Sequence, residues 1–355
     1  MSNLRKQIAD EQAAWTADGF SIARIIAEHK GRYSILLDDK VMIAEVTGKM
    51  MFEAVTRKDY PAVGDWVAVQ MYDENSPAII HHIFPRTTIL SRKTSGREVE
   101  EQIIATNIDI VFIVQGLDKD YNLRRIERFL VVASQSGALP IVLLSKIDLL
   151  NEQELKQVMD EVASIADNAT VIAYSAKTMV HLEAIQELIK KETTVCFIGT
   201  SGAGKSTLIN RLIGKEKMLT QEVREEDSKG KHTTSHRELI PLESGGCVID
   251  TPGLREIGLW ETGSGVDTTF SDIAELAQQC KFTDCTHLHE PGCAVQSALT
   301  EGTLEQGRYD SYLKLQKEMD YIASKTDITK QQERKAREKL IGKAQKEIFR
   351  TRKKR

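Results

Sequence analysis

Residues 194–207 read TVCFIGTSGAGKST: a short apolar run, a glycine-rich turn, then residues that begin a helix. Gly199, Gly204, Lys205 and Ser206 fit the spacing G-x-x-x-x-G-K-[ST], in the strand, turn and helix context that the pattern needs. Glycines let the backbone approach phosphates, so the amides of Thr200, Ser201, Gly202 and Ala203 can point at them. Lys205 supplies a cation to the β and γ oxygens and Ser206 a hydroxyl to Mg2+. Thr207 follows in the first helical turn, whose positive dipole end faces the same anion. A chain of this length meets the four fixed positions by accident in about one case in a hundred. The stretch predicts a site for a nucleoside triphosphate.

On both sides of it, apolar runs alternate with amphipathic ones. Strands are predicted at 109–114, 140–144, 170–174, 194–198 and 247–249, and helices over about 122–136, 152–166, 179–190 and 205–213. That alternation predicts a doubly wound α/β domain with a parallel sheet, whose ligands bind outside the carboxyl ends of the strands. Ser145-Lys146-Ile147-Asp148 lies at one such end and resembles the N/T-K-x-D guanine motif, with Ser145 where Asn or Thr is usual. Its carboxylate would receive both the N1–H and the exocyclic amine of guanine, a pair of donors that adenine lacks there. Ser175-Ala176-Lys177, at the next strand end, matches the S-A-K sequence whose backbone supports guanine O6.

Downstream, Asp250-Thr251-Pro252-Gly253 forms a D-x-x-G element, in which Asp250 holds Mg2+ through a water and the Gly253 amide senses the γ-phosphate. Between the two lies Lys229-Gly230-Lys231-His232-Thr233-Thr234, a switch segment in which Thr234, ahead of Thr233, completes the Mg2+ shell. The base motifs thus precede the P-loop, the reverse of the Ras-like order. A site assembled from loops at one sheet edge tolerates such a circular permutation.

Upstream, residues 20 to 90 hold six short runs (SIARIIA, YSILLDD, VMIAEVTG, MFEAVTR, DWVAVQMY, AIIHHIF) punctuated by Gly31, Gly48, Gly64 and DENSP. Five or six such strands predict a small β-barrel, OB-type first and SH3-like second. Downstream, Cys280, Cys285, His287 and Cys293 offer four ligands and no open position, the set of a structural zinc site. With five cysteines and no export signal, a metal site is favoured over disulfides, and Cys196 and Cys247 read as core. A charged helix is predicted over about 303–322.

Hydrophobic residues at 41% and charged ones at 28% are those of a globular chain and exclude global disorder. No apolar stretch is long enough to span a membrane or serve as a secretory signal, so a cytoplasmic monomer without membrane contact is expected. The net charge of −4 conceals an asymmetry: from Lys330 to Arg355 there are 12 Lys and Arg against 3 Glu. An acidic body with a basic terminal arm is compatible with nucleic-acid binding. Arg86, Arg92 and Lys93, just after the barrel, are candidate phosphate contacts, and Trp66 reads as core.

This combination resembles the circularly permuted, ribosome-small-subunit-dependent GTPases (RsgA/YjeQ). The resemblance covers about residues 20 to 305, and carries the barrel, the permuted order, the G-K-H-T-T switch and C-x4-C-x-H-x5-C. It implies an N-terminal OB-fold, a permuted Ras-like P-loop GTPase domain and a C-terminal zinc-binding helical module, which dock on the small ribosomal subunit and its 16S rRNA late in maturation. The expected division is barrel with N-terminal extension 1–100, GTPase domain 101–265, zinc module 266–325 and basic tail 326–355. GTP with Mg2+ and one structural Zn2+ are the implied cofactors.

Phosphoryl transfer is mostly positioning and charge neutralisation, so Lys205, Mg2+ and the loop amides carry it, while something must also orient the water. The residue after D-x-x-G is Leu254, which cannot hydrogen-bond water, so intrinsic hydrolysis is expected to be slow, with the rest supplied by a partner or another residue; the resemblance implies stimulation by the subunit. His232, in the switch, is the internal candidate, with His236 weaker. The competing readings are a constitutive rRNA-binding scaffold and a P-loop ATPase or kinase, the latter disfavoured by Asp148 and Ser175–Lys177.

Overall fold

A computed structural model of the protein describes residues 2–29, 31–73, 76–93, 101–166, 169–214, 237–251 and 265–323. After helix α1 (Ser2–Ala17) come strands β1 (Ser21–His29), β2 (Arg32–Leu37), β3 (Lys40–Val46), β4 (Trp66–Gln70) and β5 (Ala78–Ile83). They close in the order β1-β2-β3-β5-β4 and back to β1, with β3 and β5 parallel and the other pairs antiparallel. Every second residue points inward, and Ile25, Ile35, Val67 and Ile80 are fully buried there. This five-stranded closure is the OB-type barrel, with one correction to the strands read from sequence. The run MFEAVTR forms no strand; helix α2 (Gly48–Glu53) occupies its first half. The Thr47 hydroxyl accepts the Met50 amide at 3.1 Å and caps the helix, and Met51, Phe52 and Val55 are exposed, so their alternation reflects no buried face.

Arg86 also departs from expectation. Its guanidinium lies in the barrel wall, donating to both carboxylate oxygens of the fully buried Asp65 (2.8 and 2.6 Å) and to the carbonyls of Lys58 and Tyr60. Thr106 donates to the same carboxylate at 2.6 Å. A guanidinium so occupied ties the chain after β5 to the loop before β4 and is not free for a surface phosphate contact. Trp66 is half-buried under Arg24, in keeping with a core role.

A hairpin of β6 (Ile89–Lys93) and β7 (Glu101–Thr106) leads into the α/β part. Its strands are β8 (Ile110–Gly116), β9 (Leu139–Ser145), β10 (Thr170–Tyr174), β11 (Thr194–Gly199), β12 (Glu238–Pro241) and β13 (Cys247–Asp250). They run β10-β9-β8-β11-β13-β12, parallel except for β12. Helices α3 (Leu123–Ser136) and α4 (Glu152–Ile165) cover one face, and α5 (Leu182–Leu188) and α6 (Lys205–Ile213) the other. Along β8 the side chains divide accordingly: Val111 and Ile113 pack with Ile126 and Leu130 of α3, and Phe112 and Val114 with Leu182 of α5 and Leu208 of α6. Burial pushes the Cys196 thiol up to about 12, as befits a core cysteine. β12, which the sequence reading passed over, pairs on its free side with β1, where Glu238 opposes Ala27. Barrel and α/β sheet are therefore one continuous eleven-stranded sheet.

The C-terminal part is helical: α7 (Gly265–Thr269), α8 (Ser271–Ala277), α9 (Ala294–Glu301) and a last helix over 306–323. It docks on α3 through Val266, Phe270, Tyr312 and Leu315. At the seam, buried Glu127 of α3 accepts from Arg124 at 2.6 Å and from Arg308 at 3.0 Å, and Arg308 also holds Asp272 with two bonds of 2.7 Å. Among the described residues, no helix is long and apolar enough to cross a membrane.

Candidate functional site

The predicted P-loop turns between β11 and α6, at the carboxyl edge of the sheet. Gly199 has φ of +146°, and a Cβ there would lie 2.2 Å from the Val114 carbonyl oxygen, so only glycine lets the turn begin this close to β8. Ser201 and Gly202 are exposed and Ala203 is buried; Lys205, Ser206 and Thr207 form the first turn of α6, half-buried. The Lys205 ammonium folds over the loop and donates to the carbonyls of Gly199 (2.7 Å) and Thr200 (2.6 Å). A lysine so placed is within the loop's own concavity, where anionic oxygens would compete with those carbonyls for it.

The base motifs sit at the ends of the two strands beyond. Ser145, buried at the end of β9, donates from its hydroxyl to the Ala203 carbonyl at 2.6 Å, joining the first position of one motif to the P-loop. Asp148 is exposed, and its carboxylate accepts the Ser175 hydroxyl at 2.6 Å; that hydroxyl also accepts the amides of Lys177 (3.3 Å) and Thr178 (3.1 Å). Ala176 lies between them, half-buried. Lys146 adopts φ of +65° and pairs with Asp118. Segments 58 residues from Ser145 and 27 residues from Asp148 in the chain are thus brought to them by hydrogen bonds. Asp250 ends β13, two strands from β8, and the buried Thr251 that follows donates to the Phe197 carbonyl at 3.0 Å, which ties this end to the strand preceding the P-loop. His232, Thr233, Thr234, His236, Gly253, Leu254 and the tail 326–355 lie outside the described residues.

The four predicted metal ligands converge, with all their ligand atoms within 4.8 Å of one another. Tetrahedral coordination with zinc–sulfur bonds of about 2.3 Å and zinc–nitrogen bonds of about 2.0 Å sets edges of about 3.8 Å between sulfurs and about 3.5 Å between sulfur and nitrogen. Cys280 and Cys293 sulfurs are 3.8 Å apart, and each is 3.5 Å from His287 Nδ1. The residues therefore fit a closed Cys3His zinc site. Burial holds the His287 imidazole below its ordinary pKa and so in the neutral form a ligand needs. Its carbonyl accepts from Tyr309 (2.6 Å) and Gln296 (2.5 Å), fixing a residue whose φ is +61°. Glu290 gathers the Thr286, Leu288 and His289 amides and so shapes the turn between ligands.

Sequence reading missed Asp118, Glu127 and Arg308. Of these only Asp118 carried a signal, since it lies just past the end of an apolar strand in a sheet whose other strand ends hold the motifs.

Residues 83–260 match the family described as RsgA GTPase, and residues 194–350 a family described as 50S ribosome-binding GTPase. The second match begins at the P-loop strand and leaves out both base motifs. The chain is 44% identical over 326 residues to the small ribosomal subunit biogenesis GTPase RsgA 1 of Oceanobacillus iheyensis, covering 92% of each. It is 44% identical over 304 residues to RsgA 2 of Lactiplantibacillus plantarum, covering 86% of this chain and 85% of that one. Among solved structures, YjeQ of Thermotoga maritima shares the fold with a TM-score of 0.63 at 24% identity, over 84% of this chain and 98% of that one. YloQ, a circularly permuted GTPase, has a TM-score of 0.58 at 27% identity, over 85% and 95%.

Proposed function

Because the chain belongs to the RsgA family of circularly permuted GTPases, we propose that it hydrolyses GTP as a late assembly factor of the small ribosomal subunit, held slow until the subunit stimulates it. The observation that carries this reading is that the Ser145 hydroxyl joins the first base motif to the P-loop and the Ser175 hydroxyl joins the second base motif to Asp148, which supports a common site for base and triphosphate. Asp148 reads the guanine edge, Ser175–Lys177 supports its O6, the 199–204 backbone and Lys205 bind the phosphates, and Ser206, Thr234 and Asp250 hold Mg2+, which neutralises charge on the phosphate oxygens. His232 orients the water.

The division at 100, 265 and 325 assigns these tasks to the central part. The Cys3His site binds one Zn2+, whose role is structural, and the barrel, the zinc module and the basic tail contact 16S rRNA. The working place is the cytoplasm and the protein acts as a monomer. Multiple-turnover hydrolysis with and without purified small subunits tests the reading: strong stimulation is expected, and an unchanged rate would favour a scaffold that uses nucleotide only to lock its shape.

A further inference from the structure

We propose that Asp118, which belongs to none of the sequence motifs, is the positioning residue for Lys146 and makes the loop between β8 and α3 a further component of the nucleotide site. The inference rests on the reading of residues 145–148 as the segment that meets the base. Lys146 occupies the left-handed region at φ of +65° and ψ of 36°, a conformation that a lysine keeps only where its surroundings hold it. The Leu149 amide donates to its carbonyl at 3.1 Å and fixes the turn, while the Asp118 carboxylate pairs with its ammonium and fixes the side chain. Burial pushes the Asp118 carboxyl up, but hydrogen bonds from Lys146 and from the Asp120 amide outweigh this and keep it below the usual carboxylate range.

The loop that carries Asp118 is itself fixed at several points. The Leu117 amide donates to the Ser145 carbonyl at 2.9 Å, directly beside Lys146. The Asp120 amide donates to Asp118 at 3.1 Å, and the Asp120 carbonyl accepts from Arg125 at 3.1 Å. Asn122 caps α3 by accepting the Arg125 amide at 3.1 Å. Gly116 lies against Ala203 of the P-loop, to which Ser145 is bonded. The anchor for Lys146 is thus a rigid one, in contact with both the base segment and the phosphate segment.

A free lysine side chain carries rotamer entropy that a bound ligand would have to freeze. With the ammonium held in advance, the methylene stem stands as a ready wall beside Asp148 for the flat face of a purine. A wall touches the face and not the edge, so the contribution of Asp118 is indifferent to the exocyclic amine that Asp148 reads.

The test is a double-mutant cycle on the full chain, following fluorescent GDP and the matching inosine diphosphate in binding and release, with thermal melting as a check on folding. Asp118→Asn is expected to weaken both nucleotides equally, roughly three- to tenfold, through faster release. Asp118→Glu should recover most of the loss, and Asp118→Asn added to Lys146→Ala should cost nothing further. If Asp118→Asn binds like wild type, or if its loss simply adds to that of Lys146→Ala, the positioning role is overturned while the base segment stands. If Lys146→Ala itself binds both nucleotides like wild type, the base-segment reading falls, and the inference with it.

Discussion

The Ser145 hydroxyl donates to the Ala203 carbonyl at 2.6 Å, across 58 residues of sequence. A serine at the head of the guanine motif is short, but in this chain it is close enough to brace the phosphate loop directly. Ser145→Ala would leave the Ala203 carbonyl unpaired at a buried position, at a cost of about 1 kcal/mol, or roughly fivefold in nucleotide affinity. Ser145→Thr keeps the hydroxyl and should bind close to wild type; equilibrium titration of GDP against the three proteins compares them.

Asp148 is expected to set the choice of base. Asp148→Asn exchanges one acceptor for a donor, which mismatches the N1–H and amine of guanine but suits the 2-oxo group of xanthine. GTP binding should fall by about two orders of magnitude, while xanthosine triphosphate gains. Competition titration with both nucleotides reads this out, and equal loss of both would place the base elsewhere.

The seam between α3 and the C-terminal helices should be sensitive at Arg308. It contacts Glu127, Asp272 and the Thr269 carbonyl and lies 4.7 Å over the Phe270 ring. Arg308→Ala removes one of the two cations that hold buried Glu127, which costs about 3 kcal/mol at that seam. Limited proteolysis should then release the segment after residue 265 before the α/β part is cleaved.

Metal removal gives an independent outcome. Zinc analysis of the purified chain should give one equivalent, and His287→Ala should lose it. Because the His287 carbonyl is the shared acceptor of Tyr309 and Gln296, chelation should also loosen the last helix, visible as faster amide exchange over 306–323.

The site was legible where chemistry fixes spacing. The P-loop, the S-K-x-D and S-A-K segments and the cysteine cluster declare themselves because each needs particular residue types at set intervals, and the central strands β8, β9 and β11 because burial on both faces makes them continuously apolar. What escaped had no such constraint. Strand β12 has four residues, with only Leu239 and Ile240 buried, too few for periodicity to show. α2 hid within an alternating run because a local cap, not burial, decides its state. Glu127 and Arg308 depend on contacts across distant segments, and a lone acid or arginine carries no trace of its partner; Asp118 showed only its place past a strand end.

One short strand has a reach beyond its size. Glu238 faces Ala27 of the barrel on one side and Asp250 on the other. The proposed magnesium ligand and the wall of the barrel are thus two ladder rungs apart, coupled by peptide groups instead of side chains. Any tilt that chemistry imposes at β13 has a stiff mechanical route to the barrel, the end proposed to face RNA.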